Sequence, residues 1–280
     1  TPMGSRLLKN WVVYPLIRLG HIRERLAAVS QLKDDPALRY DVRNELGEIY
    51  DMARLNGKIA MKRANARDLV SLQTSILRLP AVKDALTGSS SILLSRLASK
   101  LDILDDVASL IREAIHEDPP VSIKDGGIIR EGYSETLDKL IALSRDGKSW
   151  IAGFAASEKE RTGISSLKVG FNKVFGYYME ISKANLHLAP ADYIRKQTLV
   201  NGERYITEDL KRKEGEVLGA EEKRVALENS IFEEIRTKIS LENQRIRETT
   251  DLIAQIDALA GLAETAEQHN YTRPEINDGA

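Results

Sequence analysis

Cysteine is absent from all 280 residues, which excludes disulfide staples and thiolate chemistry and makes a reducing cytoplasm the natural home. No apolar run approaches the ~20 residues that a membrane span requires, so no membrane association is expected. Charge of one sign does not dominate either: the net charge of −1 neither demands nor excludes nucleic acid, and what matters is where the charges sit. With 42% hydrophobic and 30% charged residues, the chain can bury a core and is not disordered by composition. Its length suits two modest domains or one elongated unit. The opening Thr1-Pro2-Met3-Gly4-Ser5-Arg6 is neither a signal peptide nor an obvious initiation site. Together with the ending Asn277-Asp278-Gly279-Ala280, it leads us to expect a segment excised from a longer chain.

Residues 1 to about 120 read as helix after helix. Leu7, Leu8, Trp11 and Val12 recur at helical spacing, as do Ile22, Leu26 and Val29. Asp34-Asp35-Pro36 predicts a helix start, with a capping carboxylate and proline in the first turn. Leu69, Leu72, Ile76 and Leu79 form a stripe stopped near Pro80, and Ile92, Leu93, Leu97, Leu101, Leu104, Val107 and Ile111 carry the next, ended by Pro119-Pro120. Lys124-Asp125-Gly126-Gly127-Ile128 is a turn signal between short β-prone pieces. A helix returns from Ser134 to about Glu160 with Leu137, Leu140, Ile141, Ile151 and Phe154 on its apolar face.

Thr162-Gly163-Ile164 marks a change of character. Residues 167–181 are aromatic and β-branched, which predicts two antiparallel strands about a turn near Asn172-Lys173. More strand or loop follows through Thr198-Leu199-Val200 and Arg204-Tyr205-Ile206. From Asp209 to about His269 there is no proline, and positions 218, 225, 232, 239, 246, 253 and 260 are Leu, Val, Phe, Ile, Ile, Ile and Ala. Strict heptad spacing predicts one very long helix with a continuous seam, ~90 Å if sixty residues are helical. It must lean on another helix, for which 134–160 is the candidate. Companion heptad positions are weaker (Ile235 and Ile256, but Glu242 and Thr249), which favours packing within the chain over a dedicated coiled-coil dimer. The expected fold is therefore mainly α with a small β insertion: an elongated helical core and two antiparallel helical stretches carrying a β-rich module at their tip.

That module is where charge concentrates. Residues 164–213 hold nine basic and five acidic side chains, a local excess of +4 that leaves −5 for the rest. Six of the fifteen aromatics fall there too. Lysine and arginine together with Gln197, Thr198 and Asn201 suit phosphate oxygens, which accept from cationic, amide and hydroxyl donors alike. The same composition also fits a solvated surface over an aromatic core, and both readings stand on composition alone.

Other motifs carry less. Gly147-Lys148-Ser149 has the ending of a phosphate-binding loop, but the glycine needed five residues earlier is Ala142 and no strand precedes it. His21, His116, His187 and His269 are scattered without ligand spacing, so no metal site is expected. Asp34-Asp35 and Asp105-Asp106 fit capping or solvated positions, since adjacent helical residues do not face one another. No catalytic constellation emerges, and the chain is not expected to be an enzyme.

The run Leu167-Lys168-Val169-Gly170-Phe171-Asn172-Lys173-Val174-Phe175-Gly176-Tyr177-Tyr178, followed by Ile181-Ser182-Lys183-Ala184-Asn185-Leu186, resembles the clamp motif of the MutS family of DNA mismatch repair proteins. Tyr193-Ile194-Arg195-Lys196-Gln197-Thr198-Leu199-Val200-Asn201, continuing through Glu203 to Leu210, resembles it as well. Met3 to Trp11 resembles the start of that family's core domain, Arg63-Ala64-Asn65 with Arg67-Asp68-Leu69 a second core motif, and Tyr271-Thr272-Arg273-Pro274 the junction into its ATPase domain. Gly202 departs from the pattern, where alanine is expected. The resemblance implies a helical core over 1–130, an outgoing lever helix over 131–163, a β-rich clamp over 164–213, a returning lever helix over 214–270 and a junction over 271–280. It further implies that the clamp grips double-stranded DNA by its backbone without reading sequence, through Asn172, Lys173, Arg195, Lys196, Gln197, Thr198 and Asn201. The mismatch reader and the ATPase, with its ATP and Mg, would lie outside this stretch, so no cofactor is expected within it. A second MutS subunit would complete a homodimer around the duplex, and there is room for a MutL-type partner. Set against this is a purely structural helical scaffold or partner-binding rod with no DNA role.

Overall fold

The computed structural model describes residues 1–122 and 126–277. The turn expected at Lys124-Asp125-Gly126-Gly127-Ile128 thus lies partly outside the described residues; Gly126 and Gly127 both adopt positive φ, at 69° and 80°. The architecture is mainly helical with one small antiparallel sheet, as the periodicities predict. Two compact units divide it: one runs Thr1–Arg130 and resumes at Ile231, the other is Glu131–Ser230.

The first unit contains α1 (Pro2–Val13), α2 (Leu19–Asp34), α3 (Pro36–Gly47), α4 (Met52–Ala60), α5 (Ala66–Ile76), α6 (Leu79–Leu86), α7 (Ile92–Lys100), α8 (Asp105–Ala114) and α11 (Asn243–Gln268). Caps follow the sequence: Asp35 accepts from the Leu38 amide ahead of Pro36, and Asn65 with Asp68 forms a reciprocal capping box. α11 is the axis of this unit, with α1, α2, α3, α4 and α7 against it. It can be so because it is apolar on several faces and rich in small residues. Ile246, Ile253, Ile256, Leu259, Ala260 and Ala263 are all buried.

The single helix expected from Asp209 to about His269 is two. α10 (Glu208–Leu241) stops, Glu242 bonds back to Ile239 three residues away, and α11 begins at Asn243. Neither proline nor glycine causes this. Tertiary partners do: Arg245 reaches from α11 to Asp102 at 2.9 Å and Asp106 at 2.8 Å, and also holds Glu242. Asn56 donates to the Asn243 carbonyl at the break. The same aspartates explain a second departure. The stripe from Ile92 to Ile111 is not one helix but α7 and α8, because Leu101 leaves helical geometry and Leu104 turns left-handed at φ 52°. Asp102 accepts from the Leu104 amide there, and Lys83 donates to the Leu101 carbonyl. α8 ends before Pro119-Pro120, because Ile115 pairs as a bridge with Ile129. Pro80 opens α6 rather than closing α5.

In the second unit, α9 (Glu135–Thr162) lies antiparallel to the first part of α10. Gly147 sits against Val217, and the Ser144 hydroxyl bonds Glu221 at 2.7 Å. Gly147-Lys148-Ser149 is thus inside a helix, where the glycine serves close packing and Lys148 lies 3.8 Å from Glu221. The heptad seam is shifted here. Leu218 is 40% exposed while Val217 is 2% exposed, so the buried face runs Leu210, Glu214, Val217 and Ala220. Only from Phe232 onward do the expected positions Phe232, Ile239, Ile246, Ile253 and Ala260 carry the buried seam.

β1 (Lys168–Asn172), β2 (Gly176–Ser182), β3 (Ile194–Thr198) and β4 (Gly202–Ile206) form one antiparallel sheet in the order β1-β2-β4-β3. One face packs Met179, Ile181 and Tyr205 onto Ile151, Ile164, Leu167, Leu210 and Val217. Among the described residues no helix is long and apolar enough to cross a membrane.

Candidate nucleic-acid interface

The sheet's connectivity separates the residues singled out by sequence. Asn172 pairs with Gly176 at one end of β2, whereas Ser182 pairs with Gly202 at the other. At ~3.3 Å per residue, Gly176 to Ser182 spans ~20 Å. Asn172 and Lys173 therefore stand at the opposite end of the sheet from Thr198 and Asn201.

The Asn172 end is tied inward. Its Oδ1 accepts from the Val174 amide at 2.7 Å, closing the turn locally. Gly176 has φ 75°, and a side chain there would collide with the Glu214 carboxylate. Glu214 accepts from the Tyr177 amide at 2.9 Å, and Lys211 donates to the Phe175 carbonyl at 2.7 Å. This turn is a buttress against α10, with Lys173 exposed beside it.

β3 is an edge strand with a bulge. Arg195 pairs with Tyr205 and Gln197 with Arg204, which leaves Lys196 without a cross-strand partner, exposed and, among the described residues, without an ion pair. Its neighbours are engaged. Arg195 bonds Glu203 at 3.2 Å, and Gln197 accepts from Arg204 at 2.9 Å. Arg204 also bonds Glu180 and lies 4.2 Å over the Tyr178 ring, which crosses the space left by Gly170. The Tyr205 hydroxyl, with Arg195 and Thr198 beside it, holds the Glu203 carboxylate below the usual range. Burial and the Glu203 bond in turn push Tyr205 up to about 12.

The far end is different in kind. Thr198, Val200 and Asn201 are exposed at the β3–β4 turn, and the Asn201 carbonyl accepts from the Lys183 amide at 3.0 Å. Lys183 is exposed and, among the described residues, has no ion pair. Asn185 donates to the Ser166 hydroxyl at 2.8 Å, which lies 3.3 Å from that of Ser182. Hydroxyls, amides and the Lys183 ammonium, without an ion pair among the described residues, thus border this end, with Lys196 two residues before Thr198 along β3. Lys183 and Asn185 were not among the candidates; the signal for them is the hairpin register, since Lys183 directly follows the residue paired with Gly202. Gly202 itself lets the strands close, because a Cβ there would stand 2.3 Å from the Ile181 carbonyl oxygen.

The family model for MutS domain III matches residues 1–263. The chain belongs to the MutS family. It is 49% identical over 277 residues to the DNA mismatch repair protein MutS of Alkaliphilus oremlandii, covering 99% of this chain and 32% of that protein. Against the DNA mismatch repair protein MutS of Methanosarcina mazei the identity is 47% over 282 residues, covering 99% and 31%. The protein of the same name from Salinibacter ruber is 47% identical over 279 residues, covering 100% and 31%. The chain thus spans about a third of the length of the curated relatives it matches.

Proposed function

We propose that this chain is the part of a mismatch repair MutS that holds duplex DNA by its phosphates, with the β module as the contact and the α9–α10 pair as its carrier. The observation behind this reading is the far end of the sheet. Among the described residues Lys183 and Lys196 are exposed without ion pairs; Lys196 lies two residues before Thr198, and the Lys183 amide bonds the Asn201 carbonyl at 3.0 Å. Cations supply attraction that ignores base sequence, while hydroxyl and amide donors fix register on phosphate oxygens. Of the remaining candidates, Lys173 and Asn172 sit at the other end, and Arg195 and Gln197 are partly committed to Glu203 and Arg204. ATP hydrolysis with Mg, the second subunit of a dimer and any MutL-type partner are assigned to the longer protein.

A labelled matched duplex and a mismatched one, titrated by fluorescence anisotropy, test this. Affinity should lie in the non-specific range, roughly 10⁻⁴ to 10⁻⁶ M, fall steeply with salt and be equal for the two duplexes. Lys183→Gln with Lys196→Gln should lower it equally for both and flatten the salt slope by about two. No binding at low salt leaves the scaffold reading in its place.

A further inference from the structure

The bulge in β3 decides which of its side chains share a face. Residues three apart on a regular strand point to opposite sides of a sheet. The extra residue at Lys196 cancels that alternation, so Arg195, opposite Tyr205, and Thr198, opposite Glu203, stand on the same side. Tyr205 and Glu203, two apart on β4, share that side too. All of them meet at one carboxylate. Arg195 donates to Glu203 at 3.2 Å and the Tyr205 hydroxyl donates to it at 2.5 Å, with the Thr198 hydroxyl beside them.

A guanidinium and two hydroxyls around one anion are a donor set that a phosphate takes. Arg195 and Thr198 are themselves candidates for DNA contact, so Glu203 occupies, from within the chain, donors suited to the ligand. The carboxylate is largely covered, its side chain 13% exposed, whereas that of Arg195 is 63% exposed. An ion pair with so exposed a cation contributes little to stability, and the guanidinium can change partners at small cost. Arg204 differs. It is 19% exposed, bonds both Glu180 and Gln197 and lies over the Tyr178 ring, which makes it a structural tie.

We infer that Glu203 is an internal competitor of the DNA phosphates, holding Arg195 and Thr198 in the free module and yielding them when a duplex binds. This rests on the DNA reading above and adds to it a residue that opposes binding and keeps the grip releasable. Anisotropy titrations with labelled duplex test it, using Glu203→Gln and Arg195→Gln singly and together. Glutamine at this position still accepts from Tyr205 but holds a guanidinium weakly. Glu203→Gln should tighten binding about 5- to 10-fold and steepen the salt slope by about one, as Arg195 gains a phosphate. In the Arg195→Gln chain the same change should gain at most ~2-fold, the share due to lost charge alone. Equal gains in both backgrounds overturn the inference. Weaker binding by Glu203→Gln also overturns it and would make Glu203 a residue that aims Arg195 at the phosphate. Binding that Lys183→Gln with Lys196→Gln weakens, but Glu203→Gln leaves unchanged, overturns it while the DNA reading stands. No binding by any chain at low salt overturns both. If Glu203→Gln does not fold, the Glu203 carboxyl of the unmodified, isotope-labelled chain decides by NMR. With duplex bound it should titrate nearer the ordinary carboxylate range, because its donors have left; an unchanged midpoint overturns the inference.

Discussion

Gly147→Ala should destabilise the second unit, although alanine ordinarily strengthens a helix over glycine by ~1 kcal/mol. A Cβ on Gly147 would stand 2.2 Å from Val217 Cγ2 and 3.5 Å from Val217 Cβ. Comfortable carbon contacts need ~3.5–4.0 Å. Val217 cannot turn away, because a β-branched side chain in a helix has essentially one rotamer. Relief then requires α9 and α10 to part where Ser144 bonds Glu221. Overpacking of this kind costs ~2–3 kcal/mol, so the net loss should be ~1–2 kcal/mol. Val217→Ala alone should cost ~2 kcal/mol, since the side chain is 2% exposed and loses two methyl groups. In that background, however, Gly147→Ala should stabilise by ~1 kcal/mol, giving a coupling of ~2–3 kcal/mol. Urea unfolding followed by Trp150 fluorescence in a Trp11→Phe chain measures all four corners of the cycle. A Gly147→Ala protein that gains stability with Val217 in place would refute the reasoning.

Three other outcomes follow from side chains already described. Hydrogen bonds from Arg245 hold Asp102 and Asp106 below the usual carboxylate range. Their contribution is therefore present at neutral pH and lost as the pH falls through their folded values. Arg245→Met should cost roughly 1 kcal/mol at neutral pH, given the screening at these partly exposed positions. Its urea midpoint should also depend less on pH in the acid range. The same variant should slow hydrogen exchange at the Glu242 to Ile246 amides as helix replaces the break; faster exchange would mean that the break is local in origin. Tyr205, raised by burial and the Glu203 bond from 10.0 to about 12, keeps its proton in the folded state after the unfolded chain has lost it. Stability should thus decline between those two pH values, less so for Tyr205→Phe, and tyrosinate absorbance should show two late-titrating groups, Tyr205 and Tyr193, the latter also raised by burial and its bond to Glu158, with one of them lost in Tyr205→Phe.

What could be read from sequence was what neighbours in the chain decide. The cap at Asp35 with Pro36, the stripe of Leu69, Leu72 and Ile76, and the alternation that builds β1 and β2 are all local. Interruptions imposed from afar could not be read. The breaks at Leu101–Leu104 and at Glu242 depend on Arg245 meeting Asp102 and Asp106, more than a hundred residues away. The phase shift from Leu218 to Val217 follows from Gly147 on the facing helix. For the candidate interface, composition found the right module but could not say which residues share an end of it. That depends on strand order and on a bulge at Lys196, which the residue string does not mark.

β1 and β3 are the outer strands of the sheet, and each leaves one flank of backbone donors and acceptors open. An open flank invites a strand from another molecule, which is how sheets grow into aggregates. On β3 the bulge at Lys196 interrupts the even spacing that an incoming strand would need, and Arg195 and Lys196 add repulsion toward a like-charged copy. The bulge and the Lys196 charge should thus disfavour growth of the sheet through its own edge, whatever else they touch. Replacing Arg195 and Lys196 with small apolar residues would expose that flank and cause self-association that mimics a loss of ligand binding. Glutamine at Lys196 retains a polar, hydrated side chain on the bulge, and the monomer fraction of each variant, followed by sedimentation, separates the two effects.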